Sequence, residues 1–167
     1  LLNFFPFLIL ALYPFRDDLR FSRTKTGLLI VVLTFLQILF GLLACFSTGN
    51  ISAVLSLIST LSYAFFYFTV IRKSPGQLLF VLLMISNIAN LTVITAKCLE
   101  GQFFPDFALL PYRYSMSLFM VIVEIFILIP VFIFLKKVIP PAISCSQSFH
   151  EWRYLWLIPA TFYLIWY

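Results

Sequence analysis

The sequence predicts an all-α, polytopic integral membrane protein of about six transmembrane helices with no soluble domain, and three observations carry that prediction. The first is composition: of 167 residues, 63% are hydrophobic and only 10% charged, against about 45–50% and about 25% in soluble domains. A globule of this length would leave about 30% of its unfolded surface in water, and the mean hydropathy of +1.08 leaves too few polar groups to cover it. The second is patterning: six apolar segments, at 1–15, 27–47, 51–71, 77–97, 114–138 and 152–167, approach or reach the roughly 20 residues that cross a bilayer as a helix. They are continuous and lack strand alternation, so helices rather than a barrel are expected. The third is punctuation, because charge and helix breakers collect between the segments.

The first segment, 1–15, matches a signal-peptide core in length. It lacks a basic leader and a small-residue cleavage site, so a span missing its first turns is the expectation. The chain starts at Leu1 and ends at Tyr167 inside apolar stretches, which reads as a fragment of a longer protein. Residues 16–26 are charged, Thr48-Gly49-Asn50 forms a tight turn, and Arg72-Lys73-Ser74-Pro75-Gly76 joins charge to breakers. The fourth separator, 98–113, is longer and rich in aromatics. Pro140-Pro141 then stops the fifth helix. Trp152, Tyr154, Trp156, Trp166 and Tyr167 bracket the last segment as interfacial aromatics do. The whole of 1–167 is one helical domain without internal repeats.

Lys and Arg set the expected orientation. Separators one, three and five carry nine of the 11 at their edges, whereas separator four has Lys97 and Arg113 and separator two has none. The positive-inside rule places the odd separators in the cytoplasm. The net charge of +5 therefore implies anionic headgroups as partners and not nucleic acid. Cys45, Cys98 and Cys145 show neither CxxC nor His-rich spacing, so no metal site or disulfide framework is expected. Cys45 and Cys98 would both lie near the outer surface, and whether they bridge or pack as small thiols stays open.

Polar groups are expensive inside a membrane and mark candidate sites. In the second segment Thr34, Gln37, Gly41 and Ala44 form a polar and small stripe. In the third, Ser52, Ser56, Thr60 and Ala64 recur every four residues, a pattern that lets helix backbones approach closely. The fourth has Ser86, Asn87, Asn90 and Lys97 near one face, and the fifth has Ser117 and Glu124. Gln37, Thr60, Asn87 and Glu124 fall near the midpoints of their segments, so a shared polar layer is geometrically open to them. An isolated carboxylate in hydrocarbon is strongly disfavoured, so Glu124 has to be neutralised or paired, with Gln37, Asn87 and Asn90 as candidate donors. Such a layer serves as a ligand pocket, a switch or a transport path, or else as interhelical glue. Pro130 and Pro159 are hinge candidates, the alternative being plain packing kinks. The 98–113 separator reads either as an outer lid or as an interfacial turn, and His150 as a solvated loop residue. No Walker loop, GxSxG, HExxH or workably spaced carboxylate pair is present, so no catalytic residue and no cofactor is expected.

Two strings carry a family resemblance: Pro14-Phe15-Arg16-Asp17-Asp18-Leu19-Arg20-Phe21-Ser22 after the first segment, and Trp152-Arg153-Tyr154-Leu155-Trp156-Leu157-Ile158-Pro159 opening the last. They resemble the membrane region of Firmicute sensor histidine kinases of the GHKL class, similar in layout to quorum-sensing receptor kinases. The resemblance implies a bacterial cytoplasmic-membrane sensor of a two-component system. Its signal would be an extracellular peptide or small amphiphile, and it would homodimerise. A phosphoacceptor helix and an ATP-binding domain would follow a further span. None of the kinase motifs is in these residues. The rival expectation is a small transporter or channel component with Glu124 on its path.

Overall fold

A computed structural model of the chain describes residues 4–46, 50–108, 114–139, 141 and 152–165. Helices dominate: α1 (Phe4–Leu12), a 3-10 turn (Tyr13–Phe15), α2 (Arg23–Phe46), α3 (Asn50–Val70), α4 (Pro75–Phe103), the short α5 (Pro105–Ala108), α6 (Tyr114–Lys137), α7 (Trp152–Leu155) and α8 (Leu157–Ile165). Four of them, α2, α3, α4 and α6, are long and apolar enough to cross a membrane. The two end segments are helical but shorter, with nine residues in α1 and nine in α8.

Local chemistry explains the limits. Ser22 caps α2, its hydroxyl oxygen accepting from the Lys25 amide at 3.4 Å, so the helix starts at Arg23, ahead of the apolar run. Pro75 opens α4, where its missing N–H is one of the amides that lack a helical partner anyway. That helix runs six residues beyond the expected boundary at Lys97, and the tertiary contacts of Glu100, Phe103 and Phe104 supply the reason. The last segment, expected as a single run, is interrupted at Trp156. Pro159 lies three residues later and cannot donate to the Leu155 carbonyl, so a helix continuous through this point would lack that bond. Pro130, by contrast, lies inside an unbroken α6.

The chain forms two compact units. The first comprises Phe15–Leu78 and the second Leu2–Pro14 with Leu79–Tyr167. In the first unit α2 packs along α3 with an inverted distribution: α2 buries Thr26, Leu33 and Gln37 and exposes Leu28, Val31 and Phe35. An outward apolar face around an inward polar stripe suits lipid as solvent, where apolar burial drives nothing and interhelical packing and hydrogen bonds hold the helices. At the other end of this hairpin the 16–22 segment folds back on α3. Leu19 bridges Ile71, Arg20 N donates to Val70 O at 2.8 Å, and Arg72 N donates to Asp18 O at 2.9 Å. Phe15 and Tyr67, both without solvent exposure, meet edge to face beneath it at 6.3 Å.

The second unit is built on the antiparallel pair α4 and α6. Ala96 packs with Met120 and Val123, flanked by Val93, Leu99 and Phe119. Beyond that cluster Glu100, 1% exposed, accepts the hydroxyl of Ser115 in the first turn of α6. Phe103 stacks on Phe119 at 6.2 Å and Phe104 meets it at 6.0 Å. The first residues of the 98–113 separator are thus folded onto α6, not splayed as a loose turn, while 109–113 lie outside the described residues. α1 also packs on α6, with Tyr13 against Phe132 at 4.9 Å.

Candidate functional site

Several hydroxyls of the long helices are satisfied without a tertiary partner. Thr34, Ser86 and Thr92 donate to the carbonyls of Ile30, Leu82 and Ile88 at 2.8–2.9 Å, the four-residue back-bond that satisfies a hydroxyl within its own helix. Amides and carboxyls cannot do this, so Gln37, Asn87, Asn90 and Glu124 are the informative groups.

Each has a definite place. Gln37 is buried in the α2–α3 contact, where its Nε2 donates to the Ser59 carbonyl at 2.9 Å and its Oε1 accepts from the Ser59 hydroxyl. α3 therefore meets α2 at Ser59, one residue off the expected small-residue series. Thr60 is exposed and Ala64 half-buried, while the side chains of Ser52 and Ser56 lie outside the described residues. Asn87 donates from Nδ2 to the Pro159 carbonyl at 2.8 Å, tying α4 to α8.

Glu124 is 6% exposed, and its Oε1 has no hydrogen-bond partner among the described residues. Asn90, one of its three candidate donors, does not bond it: the Asn90 Nδ2 is buried without a partner among the described residues. Lys97 and Cys98 are exposed. Cys45, Cys145, His150, Trp166 and Tyr167 fall among residues or side chains outside those described. Among the described residues no group of His, Cys, Asp and Glu could hold a metal ion.

Beside the Asn87–Pro159 bond is a cavity of about 340 Å³ whose walls include Phe80, Met84, Leu91 and Phe162. Asn87 is its one side-chain amide, so an occupant meets an apolar surface with a single polar point. One of its walls, Phe80, is met edge to face by Trp152 at 5.5 Å. Trp152 is 6% exposed, and its indole N–H has no partner among the described residues. Sequence reasoning read Trp152 as an interfacial aromatic and Pro159 as a hinge candidate or a packing kink, and neither reading anticipated that Pro159 would line a cavity or that Trp152 would pack on its wall residue Phe80. Glu100 was missed altogether, because it follows the expected span end in a stretch that reads as a polar separator. No protein-family pattern, no curated protein and no solved structure matches this chain.

Proposed function

We propose that the chain is the membrane-embedded signal-input region of a sensor of the receptor histidine kinase type, with six spans, its odd separators facing the cytoplasm, and membrane lipid around it. The observation that carries this reading is the Asn87–Pro159 hydrogen bond beside the α4–α8 cavity. A ligand changes output only if it binds two packings differently. A cavity walled by both helices, next to a side-chain bond that ties them, couples helix position to occupancy in this reading. The break at Trp156 gives α8 freedom to tilt without unwinding α7. The signal peptide or amphiphile and the homodimer belong to this reading through the family resemblance.

Two measurements test it. In the gene, the sensor reading requires a histidine-bearing helix and an ATP-binding motif after Tyr167, and a stop codon soon after that residue ends it. In nanodiscs, spin labels on the outward-facing positions Ile94 and Leu164 report the α4–α8 distance. Asn87→Ala should broaden that distribution, and an unchanged distribution removes the proposed coupling.

A second reading is a transport or channel component with Glu124 on its path, favoured by the unpartnered Oε1 of that carboxyl. It requires ion or solute flux through reconstituted protein that Glu124→Gln abolishes.

A further inference from the structure

Two basic stretches that are far apart in the chain meet at one end of the α2–α3 hairpin. Leu19 bridges Ile71 in antiparallel register, held by the bonds from Arg20 N to Val70 O and from Arg72 N to Asp18 O. That register sets Arg72 diagonally across from Arg20, a spacing of about 7–8 Å in a regular pair. Arg23 and Lys25 follow in the first turn of α2, and all four cations are exposed. The carboxylates of this region are engaged elsewhere, Asp17 with Arg16 at 3.3 Å and Asp18 with Lys73 at 3.2 Å. Among the described residues none pairs with Arg20, Arg23, Lys25 or Arg72.

What lies beside the cations identifies the carrier of the anion. Phe21, next to Arg20, is 39% exposed, and Leu28 and Val31 on α2 are 65% and 68% exposed. The length of α2 that can cross a membrane begins at Arg23, and Leu28 follows it by about 7.5 Å of helix rise. Cations and outward apolar side chains are thus about as far apart as a phospholipid's phosphate and the upper part of its chains. A soluble anion or an acidic peptide matches the cations and leaves the apolar part unmatched.

We propose that this bridged corner of α2 and α3 is a binding site for an anionic phospholipid, its phosphate between Arg20 and Arg72 and its acyl chains along Phe21 and Leu28. Guanidinium groups hold phosphate through paired N–H donors, and each cation near an anionic surface adds about fivefold in affinity. Composition implies only a diffuse attraction of the basic separators for anionic headgroups. The bridge makes of it a fixed pair of arginines, and a lipid held by both clamps the 16–22 segment to the end of α3. The proposal rests on the membrane-embedded part of the reading above and needs neither the sensor output nor the α4–α8 cavity.

The test uses the full chain in phosphatidylcholine nanodiscs with a small share of phosphatidylglycerol that carries a photoactivatable diazirine near the top of one acyl chain. Cross-links should saturate, map to 20–28 and 72, and exceed those of phosphatidylcholine labelled in the same way by about twentyfold or more. Arg20→Gln with Arg72→Gln keeps both backbone bonds and should reduce that preference to about threefold or less. Lys136→Gln with Lys137→Gln, an exposed cationic pair on α6, should leave it within about twofold of the original.

Four outcomes overturn the proposal. They are equal labelling by the two lipids, a preference that survives Arg20→Gln with Arg72→Gln, an equal loss in Lys136→Gln with Lys137→Gln, which makes the effect one of overall charge, and displacement by water-soluble glycerophosphoglycerol as effective as by unlabelled phosphatidylglycerol, which makes the occupant a soluble anion. A chain that does not insert into the nanodisc removes the membrane reading and this proposal with it, whereas equal labelling of an inserted chain removes the proposal alone.

Discussion

Gln37 of α2 and Ser59 of α3 exchange two hydrogen bonds, one through the Ser59 carbonyl and one through its hydroxyl. The pair closes the α2–α3 hairpin near the middle of both helices. Interhelical hydrogen bonds in membranes average about 0.6 kcal/mol and reach about 1.7. Gln37→Leu removes both and should lower stability by about 1–3 kcal/mol. Ser59→Ala leaves the carbonyl bond in place and should lower it by less than about 1 kcal/mol. Unfolding in mixed micelles measures both, and equal losses would contradict the two-bond arrangement.

The folded-back 16–22 segment sets a buried aromatic against a partly exposed ion pair. Phe15 has no solvent exposure, and truncating a buried Phe costs about 3–5 kcal/mol. Lys73 and Asp18, 3.2 Å apart, are 30% and 40% exposed, and pairs of this kind contribute up to about 1 kcal/mol. Phe15→Ala should therefore be far more destabilising than Lys73→Ala, and the Lys73 effect should shrink further in high salt. The reverse ranking in thermal unfolding would mean that charge holds this end of the hairpin.

Glu100 joins α4 to the first turn of α6 through Ser115. A carboxyl near a helix N-terminus is also favoured by the helix dipole. Glu100→Gln keeps an acceptor for the Ser115 hydroxyl, whereas Glu100→Ala strands it at a cost of about 1–3 kcal/mol. Amide exchange at 99–104 should speed up in the alanine variant and stay near the original rate in the glutamine variant. Equal acceleration in both would assign the effect to charge.

Pro159 accounts for the break between α7 and α8. Pro159→Ala restores the missing N–H while leaving the carbonyl that Asn87 uses, so the two helices should join through Trp156. Amide exchange at 157–160 should slow by tenfold or more. Unchanged exchange would place the cause of the break elsewhere.

The positions of the long helices were legible because hydropathy and breakers act locally: residues 51–71 were expected and Asn50–Val70 is found. The polar stripe through Gln37 was legible for the same reason, since spacing along one helix fixes a face. Its partner was not. The expected series ran through Thr60, and Ser59 is one residue away, a rotation of about 100° that only the packing of α2 on α3 decides. Asn87 ends on a main-chain carbonyl, a group every residue carries, so no pattern of side chains could have pointed to it. Gln37, Asn87 and Asn90 read as candidate donors to Glu124 because the segments share a polar mid-depth, but depth says nothing about which way a side chain turns round its helix.

By itself the sequence determined how much of this chain is apolar, where its long apolar helices lie, and which polar groups are placed deep in them. Those properties follow from short-range sterics and from the cost of exposing hydrocarbon to water. The tertiary structure decided what those groups meet: Gln37 with Ser59, Asn87 with Pro159, Glu100 with Ser115, and Trp152 with Phe80. Rotation and register between helices are set by side chains interlocking across a contact, and a residue's neighbours across that contact are written in another part of the chain.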